Sequence, residues 1–445
     1  MMTLLTACGG SGLSPEPAVR PTPRAAAMAP SAPTPIAAPQ PVAAKAEGPA
    51  PVRPAANLEA PAAVSADGLI RVGFLAPLSG PSAAIGQGLL NAAQLALFDG
   101  ADAKFVLQIY DTGGTPDGAA AAAAAAVAHG ARLVLGPVFA AEAKAVAAQA
   151  DAAGVDVISF STDPTVAGGR IHVVGFLVKD QIREVLAHAR ANGFARFAVL
   201  APNNVYGQTV VEALQALTPE SGGELTRIEY FDPSGGDLDD VVRRLANYDQ
   251  RRAALDVQRA ELADKTDEVS QLALKRLERL ETTGDVDFDA IFIPEQGARL
   301  AQAASLLSLY DVEPGRVQLL GTMLWNSPAL SREPAMLGAL FPAPDPTAAR
   351  SFAARYRQVY GAPPPPLASH GYDAVALAAV LARAAPEQPF TREALTQASG
   401  FAGVDGIFRL RSDGLSERGF SVLQITRSGA DVVKPSPVSF STPIS

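Results

Sequence analysis

The chain has 445 residues with 36 basic and 45 acidic side chains, a net charge of -9, so no global positive field exists to hold a nucleic-acid backbone. One Cys and four His exclude a disulfide framework and leave too few soft ligands for a Cys-rich metal site. Hydrophobic residues make up 48% and aromatic residues only 6%; the excess is Ala, and the length allows two or three domains with a large core.

At the amino end, Leu5-Thr6-Ala7-Cys8-Gly9 resembles a bacterial lipobox. That resemblance implies diacylglycerol on the Cys8 thiol, cleavage before Cys8 and acylation of the new amine, because stable anchoring needs more than one acyl chain. A secretory signal has a basic start and roughly 7 to 15 apolar residues before its cleavage site. Little of that precedes Cys8, so residues 1–8 are read as the remnant of a signal with a truncated or misassigned start; a chance Cys is the alternative. Gly9 after Cys8, rather than Asp, agrees with outer-membrane sorting of lipoproteins. Residues 9–66 are dominated by Pro and Ala with almost no large apolar side chain, and cannot bury a core. They read as a disordered tether that reaches roughly 180 Å as polyproline II or about 45 Å as a coil.

From Leu69 the pattern changes. Residues 69–76 (LIRVGFLA) predict a buried strand, 84–99 a helix with Leu89, Ala92, Ala93, Ala96 and Leu97 on one stripe, 105–110 a strand, 117–129 a poly-Ala helix and 132–135 a strand. The alternation continues with a helix at 142–152, strand 155–159, helix 179–192, strand 197–200, helix 207–217 and strand 225–230. After a charged insert come strand 290–293, helix 296–309 and strand 317–320. Strands joined by helices of this length demand parallel sheets covered on both faces, an α/β fold.

There are more strands than one doubly wound sheet holds, and residues 160–169 interrupt the rhythm before an extended stretch at 172–177. Two lobes are therefore expected: 69–176 with 326–400, and 177–325 with 401–434. In open α/β sheets ligands sit beyond the carboxyl ends of the strands. The loops that matter are then 77–86, 111–116, 136–141, 159–163, 201–207, 295–297 and 321–327.

The stretches at 70–88 (IRVGFLAPLSGPSAAIGQG), 135–138 (LGPV) and 201–207 (APNNVYG) resemble the type I periplasmic binding protein superfamily of leucine-binding receptors, over roughly residues 69–434. Residues 288–302 (FDAIFIPEQGARLAQ), 310–327 (YDVEPGRVQLLGTMLWNS) and 401–410 (FAGVDGIFRL) resemble its penicillin-binding protein activator branch. That resemblance implies a two-lobed body and an outer-membrane lipoprotein facing the periplasm. Its partner would be a bifunctional peptidoglycan synthase, stimulated by protein contact. The best studied activators carry an additional helical-repeat domain where the tether stands here, which leaves the identity of the synthase open.

In amino-acid-binding relatives, hydroxyls and amides after the third and fourth strands hold the ligand carboxylate, and an acid from the other lobe takes the ammonium. Here the loop after the third strand, Val138-Phe139-Ala140-Ala141, has no hydroxyl. The next loop keeps Ser159, Ser161 and Thr162, which either bind a ligand or satisfy turn amides near Asp163-Pro164. Ser79, Asn203 and Tyr206 are further lining candidates for a small-molecule ligand, and Glu295 stands where an ammonium acceptor would. Trp325 either anchors a partner or packs behind its strand.

Residues 249–281 are highly charged and free of Pro, with Leu255, Leu262 and Val269 at heptad spacing, followed by Leu272 or Ala273, Leu277 and Leu280. They predict one projecting helix of more than twenty residues, a partner arm or a solvated decoration. Gly86-Gln87-Gly88 imitates a dinucleotide fingerprint but begins too far after its strand, with Asn91 at the third glycine, so no cofactor is expected. His129, His172, His188 and His370 fall on separate elements without metal or catalytic spacing, and no nucleophile elbow or phosphate loop occurs. No catalysis is expected. The expected function is regulation of a peptidoglycan synthase by a membrane-anchored lipoprotein; the alternative is an importer's receptor for an amino acid or related solute.

Overall fold

The computed structural model describes residues 67–440, residue 235 excepted. Cys8 and the 9–66 segment lie outside the described residues.

The first sheet is built by β1 (Ile70–Ala76), α1 (Ala83–Gly100), β2 (Phe105–Asp111), α2 (Pro116–Ala128), β3 (Ala131–Leu135), α3 (Ala140–Ala153), β4 (Asp156–Ser159) and β5 (Ile171–Val173). Its order is β2-β1-β3-β4-β5, and every pair is parallel. The Ala excess has a steric use. Helix α2 starts at Thr115, whose hydroxyl accepts from the Gly118 N–H at 3.1 Å, with Pro116 at the first turn. Its Ala face then lies directly on β1, where a side chain at Gly73 would come within 2.9 Å of the Ala126 methyl. Small residues on both surfaces let helix and sheet approach closely, and Leu75, Ala122, Val134, Val146 and Val157 fill that layer. The other face holds Phe74, Leu89, Phe160, Val375 and Leu377.

The second lobe follows with α4 (Val178–Ala191), β6 (Arg196–Pro202), α5 (Val205–Glu220), β7 (Glu224–Phe231), α6 (Leu238–Leu245), α7 (Tyr248–Ala263), α8 (Glu268–Leu277), β8 (Ala290–Phe292), α9 (Gly297–Leu309), β9 (Gln318–Leu320) and β10 (Leu340–Ala343). The chain returns to the first lobe through α10 (Pro346–Tyr360), α11 (Ala368–Ala384) and α12 (Arg392–Leu395). It ends with β11 (Phe401–Gly403), β12 (Gly406–Leu410), β13 (Ser416–Arg418), β14 (Ser421–Thr426) and β15 (Gly429–Lys434). The second sheet runs β15-β14-β10-β9-β8-β6-β7, parallel from β7 to β10 with an antiparallel edge from β14 and β15. Phe231, Ile291, Leu300, Trp325 and Phe341 fill one face; Val185, Phe197, Leu214, Phe292 and Val422 fill the other.

The lobe boundaries differ from the expected ones. Residues 326–343 stay with the second lobe, because β10 pairs with β9 and β14; a four-residue strand containing Pro342 gives almost no periodic signal. Residues 401–418 belong with the first lobe, whose core takes Phe408 and Leu410. The chain therefore crosses between lobes at 174–177, 344–345 and 419–420.

The insert also differs. Residues 264–267 break the expected single helix into the hairpin α7–α8, with the Asp267 carboxylate capping α8 through the Ser270 N–H at 2.9 Å. Leu255 is fully buried, whereas Val269 and Leu272 are 77% and 63% exposed, so the heptad stripe serves the hairpin base and not a continuous seam. Arg251 fixes that base. Buried itself, it donates to the carbonyls of Ala246, Gly284, Tyr310 and Asp311 at 3.4, 3.2, 3.5 and 3.2 Å and to the Asp311 carboxylate at 3.2 Å. Arg251→Ala would leave these carbonyls without their donor and the Asp311 carboxylate with the Thr282 hydroxyl alone, at a cost of about 3 kcal/mol. Arg252, paired with Glu281 in the open, should contribute about 1 kcal/mol or less. Urea unfolding of the two alanine variants checks the contrast.

Candidate functional site

Parallel pairing brings the carboxyl ends of β1, β3 and β4 to one edge of the first sheet and those of β6, β8 and β9 to one edge of the second. All seven loops read from the sequence leave at these edges. Helices α1, α2, α3, α5 and α9 begin immediately after them, so their unpaired N–H groups and positive dipole ends collect there. The close start of α1 depends on Gly86, because a methyl group there would run into the Pro77 carbonyl.

The first-lobe polar groups are mostly spent on their own loops. The Ser159 hydroxyl, fully buried, donates to the Pro137 carbonyl at 3.1 Å and accepts from the Ser161 N–H at 3.2 Å. The buried Ser161 hydroxyl accepts from the Asp163 N–H at 3.1 Å. Asp111 accepts the N–H groups of Leu78, Ser79 and Gly113 at 2.8, 3.2 and 2.8 Å. The Ser79 hydroxyl, with the Gly113 and Leu78 amides, holds the Asp111 carboxyl below its ordinary range. Ser79 and Thr162 are themselves exposed. Phe139, half-buried, lies beside the Gly114 backbone and offers an aromatic face on the loop after β3.

In the second lobe Asn204 caps α5 through the Gly207 N–H at 2.9 Å, which leaves Asn203 exposed and Val205 81% exposed at the helix start. The Tyr206 hydroxyl donates to the Thr322 hydroxyl at 2.9 Å, and burial pushes its phenol up. The Gln181 side chain accepts the Met323 N–H at 3.0 Å, tying α4 to the same loop. Trp325 is 1% exposed and donates its indole N–H to the Glu295 carbonyl at 3.0 Å, so it packs the back of the site. Its ring occupies the space a side chain at Gly321 would need. The Glu295 carboxylate takes the Gln296 N–H at 2.9 Å with one oxygen and is half-buried.

The seven loops hold Asp111, Asp163 and Glu295 and no Lys, Arg or His. Asp111 and Asp163 are occupied by turn donors, Asp163 by the hydroxyl and N–H of Thr165 at 2.7 and 2.9 Å. Glu295 is the least committed acid. Among the described residues no hydrogen bond joins the first-lobe loops to those of the second. Sequence reading did not single out Phe139, Val205 or Thr322; an apolar residue at the first turn after a strand end is the signal that would have found the first two.

Residues 69–430 match the family described as Periplasmic binding protein. A putative branched-chain amino acid ABC transporter from Rhodospirillum rubrum shares the fold at TM-score 0.63 and 20% identity, covering 82% of this chain and 100% of that one. An ABC transporter substrate-binding protein from Desulfitobacterium hafniense, in complex with Leu, gives 0.53 at 20% identity, with 82% and 99% covered. A solute binding protein from Rhodopseudomonas palustris BisB5, in complex with 3,4-dihydroxybenzoic acid, gives 0.51 at 14% identity, with 83% and 99% covered. Among curated proteins, an uncharacterized protein of Rickettsia prowazekii (strain Madrid E) is 22% identical over 150 residues, 34% of this chain and 37% of that protein. The match thus spans little more than a third of that relative's length.

Trp325 is the single Trp of the chain and therefore a built-in reporter of the site. Its emission should be blue-shifted and poorly quenched by acrylamide. Gly321→Ala should shift it to the red and raise quenching severalfold, since the added methyl displaces the indole; steady-state fluorescence tests both.

Proposed function

Because the chain belongs to the periplasmic binding protein family, we propose that it is a periplasmic receptor which takes a small organic solute between its lobes for delivery to an importer. One observation carries this reading: loops from both parallel sheets end in helix N-termini, and Glu295 is the one acid among them not occupied by a turn. A ligand carboxylate would be held by backbone N–H groups at those helix starts, since the loops carry no cationic side chain. Glu295 would accept from an ammonium or hydroxyl group, and Phe139, Val205 and Tyr206 would line its apolar body. The Leu and 3,4-dihydroxybenzoic acid complexes of relatives with this fold are consistent with such a ligand. The internal use of the Ser159 and Ser161 hydroxyls favours a ligand whose carboxylate does not require them. No chemical step is assigned.

Calorimetry with branched-chain amino acids, benzoate and hydroxybenzoates tests the reading. Saturable micromolar binding is expected for at least one of them. Glu295→Gln should weaken an ammonium- or hydroxyl-bearing ligand about tenfold, the scale of one charge-assisted hydrogen bond. A flat response across the panel would sink it.

A second reading is favoured by the α7–α8 hairpin, which exposes Val257, Val269 and Leu272 beyond its buried base. It is that of a lipoprotein anchored to the outer membrane through Cys8, which activates a peptidoglycan synthase by contact. Pull-down from membranes with and without residues 249–281 discriminates: loss of synthase recovery on deletion supports it, and equal recovery removes the hairpin from it.

A further inference from the structure

Two of the segments that carry the chain between lobes, 174–177 and 419–420, meet at an enclosed polar cluster next to the 159–163 loop. His370 and Asp373 come from α11, Asp405 from the β11–β12 turn and Arg418 from the end of β13; they are 1%, 5%, 6% and 4% exposed. The Arg418 guanidinium lies 5.0 Å from the Phe176 ring centroid and 5.1 Å from that of Phe408. Its Nη1 donates to the Asp405 carbonyl at 3.2 Å and stands 3.8 Å from Asp373 Oδ2. The Arg418 N–H donates to Asp180 of α4 at 3.1 Å, and Asp373 Oδ1 accepts the Val404 N–H at 2.7 Å. Thus Arg418 touches the first lobe and the 174–177 crossing with its guanidinium and the second lobe with its backbone N–H.

The cluster is not satisfied as it stands. Asp373 Oδ2, Asp405 Oδ2, Arg418 Nε and both ring nitrogens of His370 are buried without a hydrogen-bond partner. His370, Asp373 and Arg418, with Phe408, line a cavity of about 10 Å³, which is room for roughly one water. Two buried carboxylates share one nearby permanent cation: Asp373 Oδ2 stands 3.8 Å from the guanidinium, whereas Asp405 meets it through its carbonyl and has its own Oδ2 3.9 Å from His370 Nδ1, so full ionisation would seal in a surplus negative charge. His370 does not neutralise it. Its ring is enclosed by Phe176 at 4.7 Å and Phe160 at 6.5 Å, and burial beside Arg418 pulls its pKa down to about 3. The remaining way to remove the surplus charge is a proton on one of the two carboxylates.

We propose that Asp373 and Asp405 form a proton-binding site that locks the crossing segments, so that releasing its one proton shifts the orientation of the lobes. With the proton in place Arg418 balances a single carboxylate and stays clamped between Phe176 and Phe408. Without it, the unbalanced charge draws water into the cluster and loosens the crossings. The facing groups agree. Burial first, then the Asp405 charge, pushes Asp373 up to about 7 against the pull of Arg418; burial also raises Asp405, against Arg418 and the Ser369 hydroxyl. On α4, burial raises Asp180, opposed by Arg183, with Glu417 of β13 adding to the rise. The unfolded Asp373 releases its proton near its ordinary 3.8 and the folded one near 7. The folded state therefore binds more protons in that window, and stability declines as pH rises through it.

The test uses the full chain. Thermal unfolding from pH 4.5 to 8.5 should show a midpoint falling by several degrees in the wild type. In Asp373→Asn, whose amide imitates the protonated acid, this fall should be lost and the midpoint above pH 7.5 should exceed that of the wild type. Parallel curves for the two proteins would overturn the site. Should Asp373→Asn fail to fold, infrared difference spectra of the wild type between pH 6 and 8.5 decide: a buried protonated carboxyl band that disappears supports the site, and no such band overturns it. Spin labels at Ser79→Cys and Asn203→Cys in a Cys8→Ser background then read the lobes. A distance change between pH 6 and 8.5 that Asp373→Asn removes is expected; an unchanged distance in the otherwise wild-type chain overturns the coupling. None of these readouts uses a cleft ligand, so they stand or fall independently of the receptor reading.

Discussion

Parallel strand pairing is the constraint on which the rest of this molecule depends. A parallel strand returns to its sheet only by a crossover that passes over one face, so both faces are covered and every strand in the set leaves at the same edge. In the first sheet all five strands obey this, and in the second the run from β7 to β10 does. Loops far apart in the chain, such as 77–86 and 159–163, are thereby collected at one edge without any direct attraction between them. Helix dipoles come along for the same reason, since each crossover helix starts where its strand has just ended.

What the edges can hold follows from side chains that the pairing does not dictate. Three acids and no bases occupy the loops, yet two of the acids close turns: Asp111 with three backbone amides, Asp163 with Thr165. Hydroxyls that look free in the sequence are consumed in the same manner, Ser159 by the Pro137 carbonyl and Ser161 by the Asp163 amide. Satisfying a buried amide is worth more than waiting for a ligand, so local turns claim these groups first. Glu295 escapes because its loop is short and its main-chain carbonyl, not its carboxylate, serves Trp325.

Polar groups are handled differently at the two remote features. At the hairpin base Arg251 finds four carbonyls and one carboxylate and is saturated, which anchors a mostly solvated element to the lobe. At the lobe crossings Arg418 is the one permanent cation beside two buried carboxylates, and several atoms stay unpaired. A buried network with one charge too many is costly, and a titratable pair is the means by which such a network reaches neutrality. The difference between the two arginines is one of stoichiometry: both are buried, but only one is matched.

Element order and type were legible in the sequence because long helices and buried strands carry strong periodicity. The strand read at 105–110, the helix read at 207–217 and the α/β class needed no tertiary information, and the resemblance of 70–88 and 201–207 to leucine-binding receptors pointed to the same two-lobed plan that the family match and shared fold support. Short or charged segments were not legible. A four-residue strand with Pro342 has no period to read, and residues 264–267 break a helix by capping geometry that heptad counting ignores. By itself the sequence determined the alternating elements, the loops at strand ends and the acidic character of those loops, since these are properties of neighbouring residues along the chain. Only the tertiary structure decided that Ser159 is spent on the Pro137 carbonyl, that Trp325 faces the core, and that Asp373, Asp405 and Arg418 meet at the crossings, because each depends on partners tens of positions away.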